Sequence, residues 1–109
     1  MPKPDSLQGS LDLLALKILS RRPRLHGYAI MTAIKQTSGD VLNAEVGSLY
    51  PALHRMEEAG WIRAEWAAKD AGRRTRLYQL TAAGKKQLDA EVTRWHTVSS
   101  AINRVLQEA

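Results

Sequence analysis

The apolar positions of this chain change their period as it is read from the amino end. Residues 1–9 hold Pro2, Pro4 and Gly9 and read as a loose arm. The run LDLLALKIL then puts Leu11, Leu13, Leu14, Leu16, Ile18 and Leu19 on more than one side of a helix. Such a helix is either central to a fold or shared with a partner. Ser10 is suited to cap it, and Asp12 sits in its first turn, where a carboxylate favours the helix dipole. Pro23 in RRPR stops it. A second helix is predicted from near His26, with Ile30, Met31 and Ile34 at helical spacing and Gly39 of SGD closing it. His26 reads as the start of that helix, its ring packed under Tyr28.

The stretch GSLYPALHRMEEAGW, residues 47–61, predicts a third helix. Leu49, Leu53, Met56 and Gly60 recur on one side at intervals of four, three and four. A cap at Ser48 puts Pro51 in the first turn, where backbone N–H groups have no intrahelical partner. A start at Asn43 or Glu45 puts Pro51 inside the helix and bends it. Both alternatives fit the sequence. Either way the apolar stripe leaves Pro51, His54, Arg55 and Glu58 on the far side, with Ser48 beside them and Tyr50 on the flank.

Next the period falls to two. In WIRAEWA, Ile62, Ala64 and Trp66 alternate with Trp61, Arg63 and Glu65, which predicts a strand. AKDAGR is a turn-rich tip, and RTRLYQL is a second strand with Tyr78 and Leu80 on one face. Trp61 and Trp66 are expected to pack this hairpin onto the helices. Thr81 then caps a last helix of about 25 residues without proline, roughly 37 Å long at 1.5 Å per residue. Leu88, Val92, Trp95, Ile102 and Leu106 repeat along it at near-heptad spacing; Ser99 fills the gap, and Val98 and Val105 widen the stripe.

Three helices, a hairpin and a long helix give a mostly α chain with a small β element. The order is that of a winged helix-turn-helix over residues 10–80, followed by a carboxy-terminal helix over residues 81–109. In that architecture the third helix enters the DNA major groove and the hairpin is the wing. The last helix is too long for its far half to pack on so small a domain, and an exposed apolar stripe of that length is a liability for a monomer. It is therefore read as a dimerisation helix. Two-fold pairing through Leu88, Val92, Trp95, Ile102 and Leu106, joined by Leu11 and Leu14 of the first helix, buries the stripe.

Charge sharpens this picture. Sixteen Lys and Arg against eleven Asp and Glu leave a net charge of +5, which attracts polyanions, nucleic acid the commonest among them. Between residues 63 and 76, Arg63, Lys69, Arg73, Arg74 and Arg76 face Glu65 and Asp70, a local balance of +3. On a hairpin after a helix-turn-helix, Lys69, Arg73, Arg74 and Arg76 are expected at phosphates. On the third helix, Arg pairs with guanine or phosphate, while His and Tyr reach phosphate or base edges.

Other chemistries find little footing. At 109 residues the chain is one domain's worth. It has no cysteine, hence no disulfide, thiolate zinc site or redox pair. No segment reaches the roughly 18 apolar residues of a membrane span, and MPKPDSLQGS lacks the layout of a secretion signal, so an intracellular, cytoplasmic, soluble chain is expected. His26, His54 and His96 fall on different elements and form no metal-spaced pair. Glu57 and Glu58 are adjacent, so on a helix they point about 100° apart. AAGKKQ lacks the spacing of a phosphate loop, and no nucleophile motif occurs. Neither catalysis nor a metal or cofactor is expected.

HGYAI at 26–30, GSLYPALHRMEEAGWI at 47–62 and GRRTRLYQLTAAGKKQL at 72–88 resemble the PadR family of bacterial transcriptional regulators. The resemblance extends over roughly residues 7–107. It implies a winged helix-turn-helix with a carboxy-terminal dimerisation helix, and repression as the usual activity. The short tail is similar to the compact subgroup. The positions that match the family's DNA-contacting pattern are Ser48, Tyr50, Pro51, His54 and Arg55, with Arg73 and Arg74 in the wing. One departure is the acidic NAEVG ahead of the third helix, where many members carry a proline; it bears on where that helix starts. The implied partners are double-stranded DNA and a second copy of the chain. Some compact PadR-type regulators use a tryptophan in the last helix to hold a flat ligand, so the resemblance also suggests a small aromatic effector at Trp95, with plain packing in the dimer core as the alternative. A protein-interaction adaptor and an RNA-binding module are the competing readings of a small basic winged helix.

Overall fold

Apolar spacing along the chain is matched by six elements: α1 (Leu11–Arg21), α2 (Gly27–Thr37), α3 (Val46–Glu58), β1 (Ile62–Ala68), β2 (Arg74–Leu80) and α4 (Ala82–Gln107). They come from a computed structural model that describes residues 10–68 and 74–108. The arm at 1–9 and the hairpin tip, with Lys69 and Arg73, lie outside the described residues.

The core forms where α1, α2 and α3 meet. Leu16, Ile30, Leu49, Leu53 and Met56 are fully buried there. Each such side chain contributes about 1.5–3 kcal/mol relative to exposure. Ala15, Ala33 and Ala52, also buried, allow the helices to approach closely. Ile62, Tyr78 and Leu88 close the core from the hairpin and α4.

Helix ends follow local chemistry. His26 caps α2: its Nδ1 accepts the Ala29 N–H at 3.1 Å. The imidazole thus serves the backbone, and Tyr28 stands largely exposed instead of covering the ring. Ser10 occupies the cap position of α1, but its hydroxyl makes no capping bond. α3 starts at Val46, so the earlier of the two alternatives holds. Glu45 has extended backbone there, and its carbonyl accepts the N–H groups of Ser48 and Leu49 at 3.0 and 2.8 Å. Pro51 therefore lies inside α3 and offers no N–H to the Gly47 carbonyl. Gly47 is exposed, so water serves that carbonyl at small cost.

β1 and β2 pair antiparallel from Ile62↔Leu80 to Ala68↔Arg74. The linker between α1 and α2 joins them: Leu25 and Tyr78 exchange backbone bonds of 3.1 and 2.8 Å. The inner half of the hairpin packs on the core. The outer half runs past it, so Trp66, expected against the helices, is 56% exposed. Its face is the face of Ile62, but the core ends before the strand does.

Among the described residues, the first half of α4 is the part that packs on the rest of the chain. The Thr81 hydroxyl accepts the Gly84 N–H at 3.0 Å and donates to the Gly60 carbonyl at 2.6 Å. Leu88 is buried and Val92 half-buried. Beyond them Trp95 is 50% and Leu106 74% exposed. The radius of gyration is 15.5 Å, against about 13 Å for a compact chain of this length, because α4 projects. Among the described residues no helix is long and apolar enough to cross a membrane.

The seat of α4 depends on a missing side chain. A Cβ at Gly84 would run into the carbonyl of Trp61, a backbone atom, and into Leu80. Gly→Ala in an open helix stabilises by up to about 1 kcal/mol. Gly84→Ala is expected to do the reverse and to lower stability by about 1–3 kcal/mol, read from the urea midpoint. A midpoint that rises instead would show that α4 is not seated on that carbonyl.

Candidate nucleic-acid interface

α3 separates two surfaces cleanly. Leu49, Leu53 and Met56 face the core, while Tyr50, Pro51, His54 and Arg55 are exposed and Ser48 is half-buried. The orientation comes from a close approach of α2 and α3. The Tyr50 ring lies on Gly27, the first residue of α2, where an added Cβ would fall 2.5 Å from the phenol oxygen. A side chain there would require the Tyr50 ring to move, and a one-sequence reading gives no sign of this contact.

The sequence-predicted residues do not all stand free. Arg55 donates from Nη2 to the Asp12 carboxylate at 2.9 Å, which draws it toward α1. Arg76 donates to Glu57 at 2.8 Å, so the wing is clasped to α3. Its Nε is buried with no hydrogen-bond partner, and its guanidinium lies over the rings of Trp66 (5.4 Å) and Tyr78 (5.9 Å). Arg74 stacks on Trp66 at 4.9 Å. His54 Nδ1 is 3.7 Å from Glu58, too long for a good hydrogen bond. On the opposite side of the hairpin Arg24 pairs with Glu65.

A groove of about 450 Å³ lies between α3 and the wing; Ser48, Pro51 and Arg55 are not among the residues that line it. Tyr50, His54 and Glu57 form one wall and Trp66, Arg74 and Arg76 the other, with Gly27 and Tyr78 beneath. It offers a phenol hydroxyl, an imidazole and the Glu57 carboxylate on the helix side, the carboxylate paired with Arg76, and guanidinium groups on the strand side. Trp66, Glu57, Asp12 and Gly27 belong to this site and were absent from the sequence reading of it.

A second surface runs along α4. Leu11 and Leu88, expected at a partner contact, are buried in the chain's own core. Leu14 and Val92 are half-buried, and Trp95, Ile102 and Leu106 are exposed. Ser10, Leu13, Glu91, Arg94, Trp95 and Val98 line a shallow cleft of about 180 Å³ between α1 and α4. Among the described residues no group of three His, Cys, Asp or Glu is placed to hold a metal.

Comparison with known proteins places these features in context. The family model described as "Transcriptional regulator PadR-like family" matches residues 15–90. The chain is 39% identical over 98 residues to the "Uncharacterized 37.1 kDa protein in transposon TN4556" of Streptomyces fradiae, covering 90% of this chain and 26% of that protein. It is 29% identical over 70 residues to the "Negative transcriptional regulator PadR" of Bacillus subtilis, covering 64% of this chain and 38% of that one. It thus spans between a quarter and two-fifths of the length of these curated relatives. The solved PadR-like transcriptional regulator of Bacillus cereus is 29% identical with a TM-score of 0.77, covering 94% of this chain and 97% of that one.

Tyr78, beneath the groove, gives a pH test of the packing. Burial pushes its phenol above the ordinary 10.0, against the opposing pull of the Arg76 cation. The unfolded chain therefore loses this proton at lower pH than the folded one. The contribution of Tyr78 is complete below pH 10.0 and declines as pH rises from there toward the folded value. Urea midpoints measured from about pH 9 to 11 should fall less for Tyr78→Phe than for wild type. Parallel falls would mean that the phenol is not buried.

Proposed function

Since the chain belongs to the transcriptional regulator PadR-like family, we propose that it is a sequence-specific DNA-binding repressor acting as a homodimer. One observation carries the reading. α3 buries its apolar stripe completely and holds Ser48, Tyr50, Pro51, His54 and Arg55 on the other side, beside a wing that presents Arg74. This is the disposition of a recognition helix and wing at the mouth of a groove. Ser48, Tyr50, His54 and Arg55 meet bases and nearby phosphates; Pro51 packs against the duplex. Lys69, Arg73, Arg74 and Arg76 meet phosphates, Arg76 with its carboxylate partner retained. Repression is taken from the Bacillus subtilis relative, whose name states it.

Residues 10–80 form the DNA-binding unit and 81–109 the pairing unit, at work in the cytoplasm. Val92, Trp95, Ile102 and Leu106, with Leu14, form the seam between two copies. A two-fold dimer presents two copies of α3, so the operator is an inverted repeat with half-sites about one helical turn apart. In light scattering at micromolar concentration the chain should weigh about twice 12.1 kDa. Genomic fragments captured by it should share one inverted repeat, bound as a dimer and more weakly as salt rises. Ile102→Asp, aimed at the seam, should give a folded monomer that has lost the repeat. Capture of RNA, or of protein without DNA, would overturn the reading in favour of a different winged-helix role.

Trp95 lies half-exposed on the α1–α4 cleft, with Glu91 and Arg94 as charged neighbours of opposite sign. A small, flat aromatic effector fits the exposed indole, since stacking adds roughly 0.5–1.5 kcal/mol beyond burial; planar, cationic aromatic dyes serve as probes. In a chain whose Trp61 and Trp66 are replaced by Phe, such dyes should quench Trp95 emission saturably at micromolar concentration and release DNA. Flat emission across a broad panel would leave Trp95 as dimer packing alone.

A further inference from the structure

We propose that Trp66 is a positioning residue that holds Arg74 ready for a phosphate of the duplex, an inference that rests on the DNA-binding reading above. Trp66 is the one large aromatic of the hairpin that the core does not claim. Its ring is 56% exposed on the outer strand, and it lines the groove opposite α3. Two guanidiniums lie on it, Arg74 at 4.9 Å and Arg76 at 5.4 Å. Cation–π attraction favours a guanidinium over an indole face more than over any other side chain.

The two arginines differ in what else holds them. Arg76 is neutralised by Glu57 at 2.8 Å. Among the described residues no carboxylate is within ion-pair distance of Arg74, so its positive charge remains at the mouth of the groove. Two cations on neighbouring positions repel one another; the attraction of both to the Trp66 ring and of Arg76 to the Glu57 carboxylate offsets that repulsion. A stacked guanidinium keeps its edge N–H groups pointing outward, which is the geometry that grips a phosphate with two parallel bonds. Stacking also removes rotamer freedom before binding, so less is lost when the phosphate arrives. The occupant is the sugar–phosphate strand that borders the major groove read by α3. Its sequence is immaterial to this contact.

The test uses the full chain and a mixed-sequence duplex of about 30 base pairs, with affinity followed from low to moderate salt. Arg74→Ala should flatten the slope of log K against log salt by about 0.9, one phosphate contact. Trp66→Leu removes no charge. It should nonetheless take away at least half of that slope change and weaken binding about three- to tenfold. Trp66→Phe, which keeps a π face, should restore most of both. The double variant Trp66→Leu with Arg74→Ala should be no more than about twofold weaker than Arg74→Ala alone, because the two act as one unit. A slope unmoved by Trp66→Leu, or effects that multiply in the double variant, would overturn the inference and leave the DNA reading standing. Wild type without salt-dependent duplex binding would overturn both.

Discussion

Three consecutive residues, Leu25 to Gly27, hold the parts of the interface in register. Leu25 exchanges two backbone bonds with Tyr78 and so fixes the wing. His26 turns its ring back to cap α2. Gly27, lacking a Cβ, takes the Tyr50 ring of α3, whose buried face is held by the core. The wing, the second helix and the third helix all meet a segment shorter than one helical turn. Because backbone bonds and core packing do the work, the relation between α3 and the hairpin is set before any surface charge acts. A larger residue at position 27 would displace the Tyr50 ring, the outer end of a partly exposed side chain.

Charge then adjusts what the backbone has placed. The pairs Asp12–Arg55, Glu57–Arg76 and Arg24–Glu65 are all at least partly exposed. Pairs of this kind contribute about 0–1 kcal/mol each to stability. Their effect is chiefly geometric. Each removes one arginine from the free positive charge of the surface and fixes where its remaining N–H groups point. A net charge of +5 therefore overstates the basic character of α3 and understates the contrast between the clasped Arg76 and the open Arg74. Local pairing, more than the net charge, decides where a polyanion meets an uncompensated cation.

How much of this the sequence revealed depends on the range of the cause. Features governed by local period were legible. The spacing of Leu49, Leu53 and Met56 marked the buried face of α3, and Thr81 marked the start of α4. The exposed stripe through Trp95, Ile102 and Leu106 was likewise legible, because its length exceeded what a small domain covers. Features governed by contacts between elements were not. Arg55 meets Asp12 across 43 residues, and no pattern announces such a pair. Trp66 shares the alternation of Ile62, so period alone assigned it to the core; only the place where the core ends corrected that. The start of α3 was undecided because Ser48 is a better capping residue than Glu45 by type. The extended backbone at Glu45 and its two accepted N–H bonds outweighed that preference.

The first turn of α1 borders both surfaces of the molecule. Ser10 and Leu13 line the cleft beside Trp95. Asp12, between them in sequence, points the other way and holds Arg55 of α3. Neighbouring residues on a helix diverge by about 100°, so one turn serves two faces without either side chain reaching across. The Ser10 hydroxyl makes no capping bond, which leaves this helix end less firmly fixed than the starts of α2 and α4, where a side chain closes the turn. Adjacency of this kind puts the α4 cleft and α3 within one helical turn of each other. It does not supply the energy: a ligand in the cleft moves Arg55 only if it binds one arrangement of that turn more tightly than another. The same condition runs in reverse, so any ligand that draws Arg55 away from Asp12 would be coupled to one bound in the cleft by the same factor.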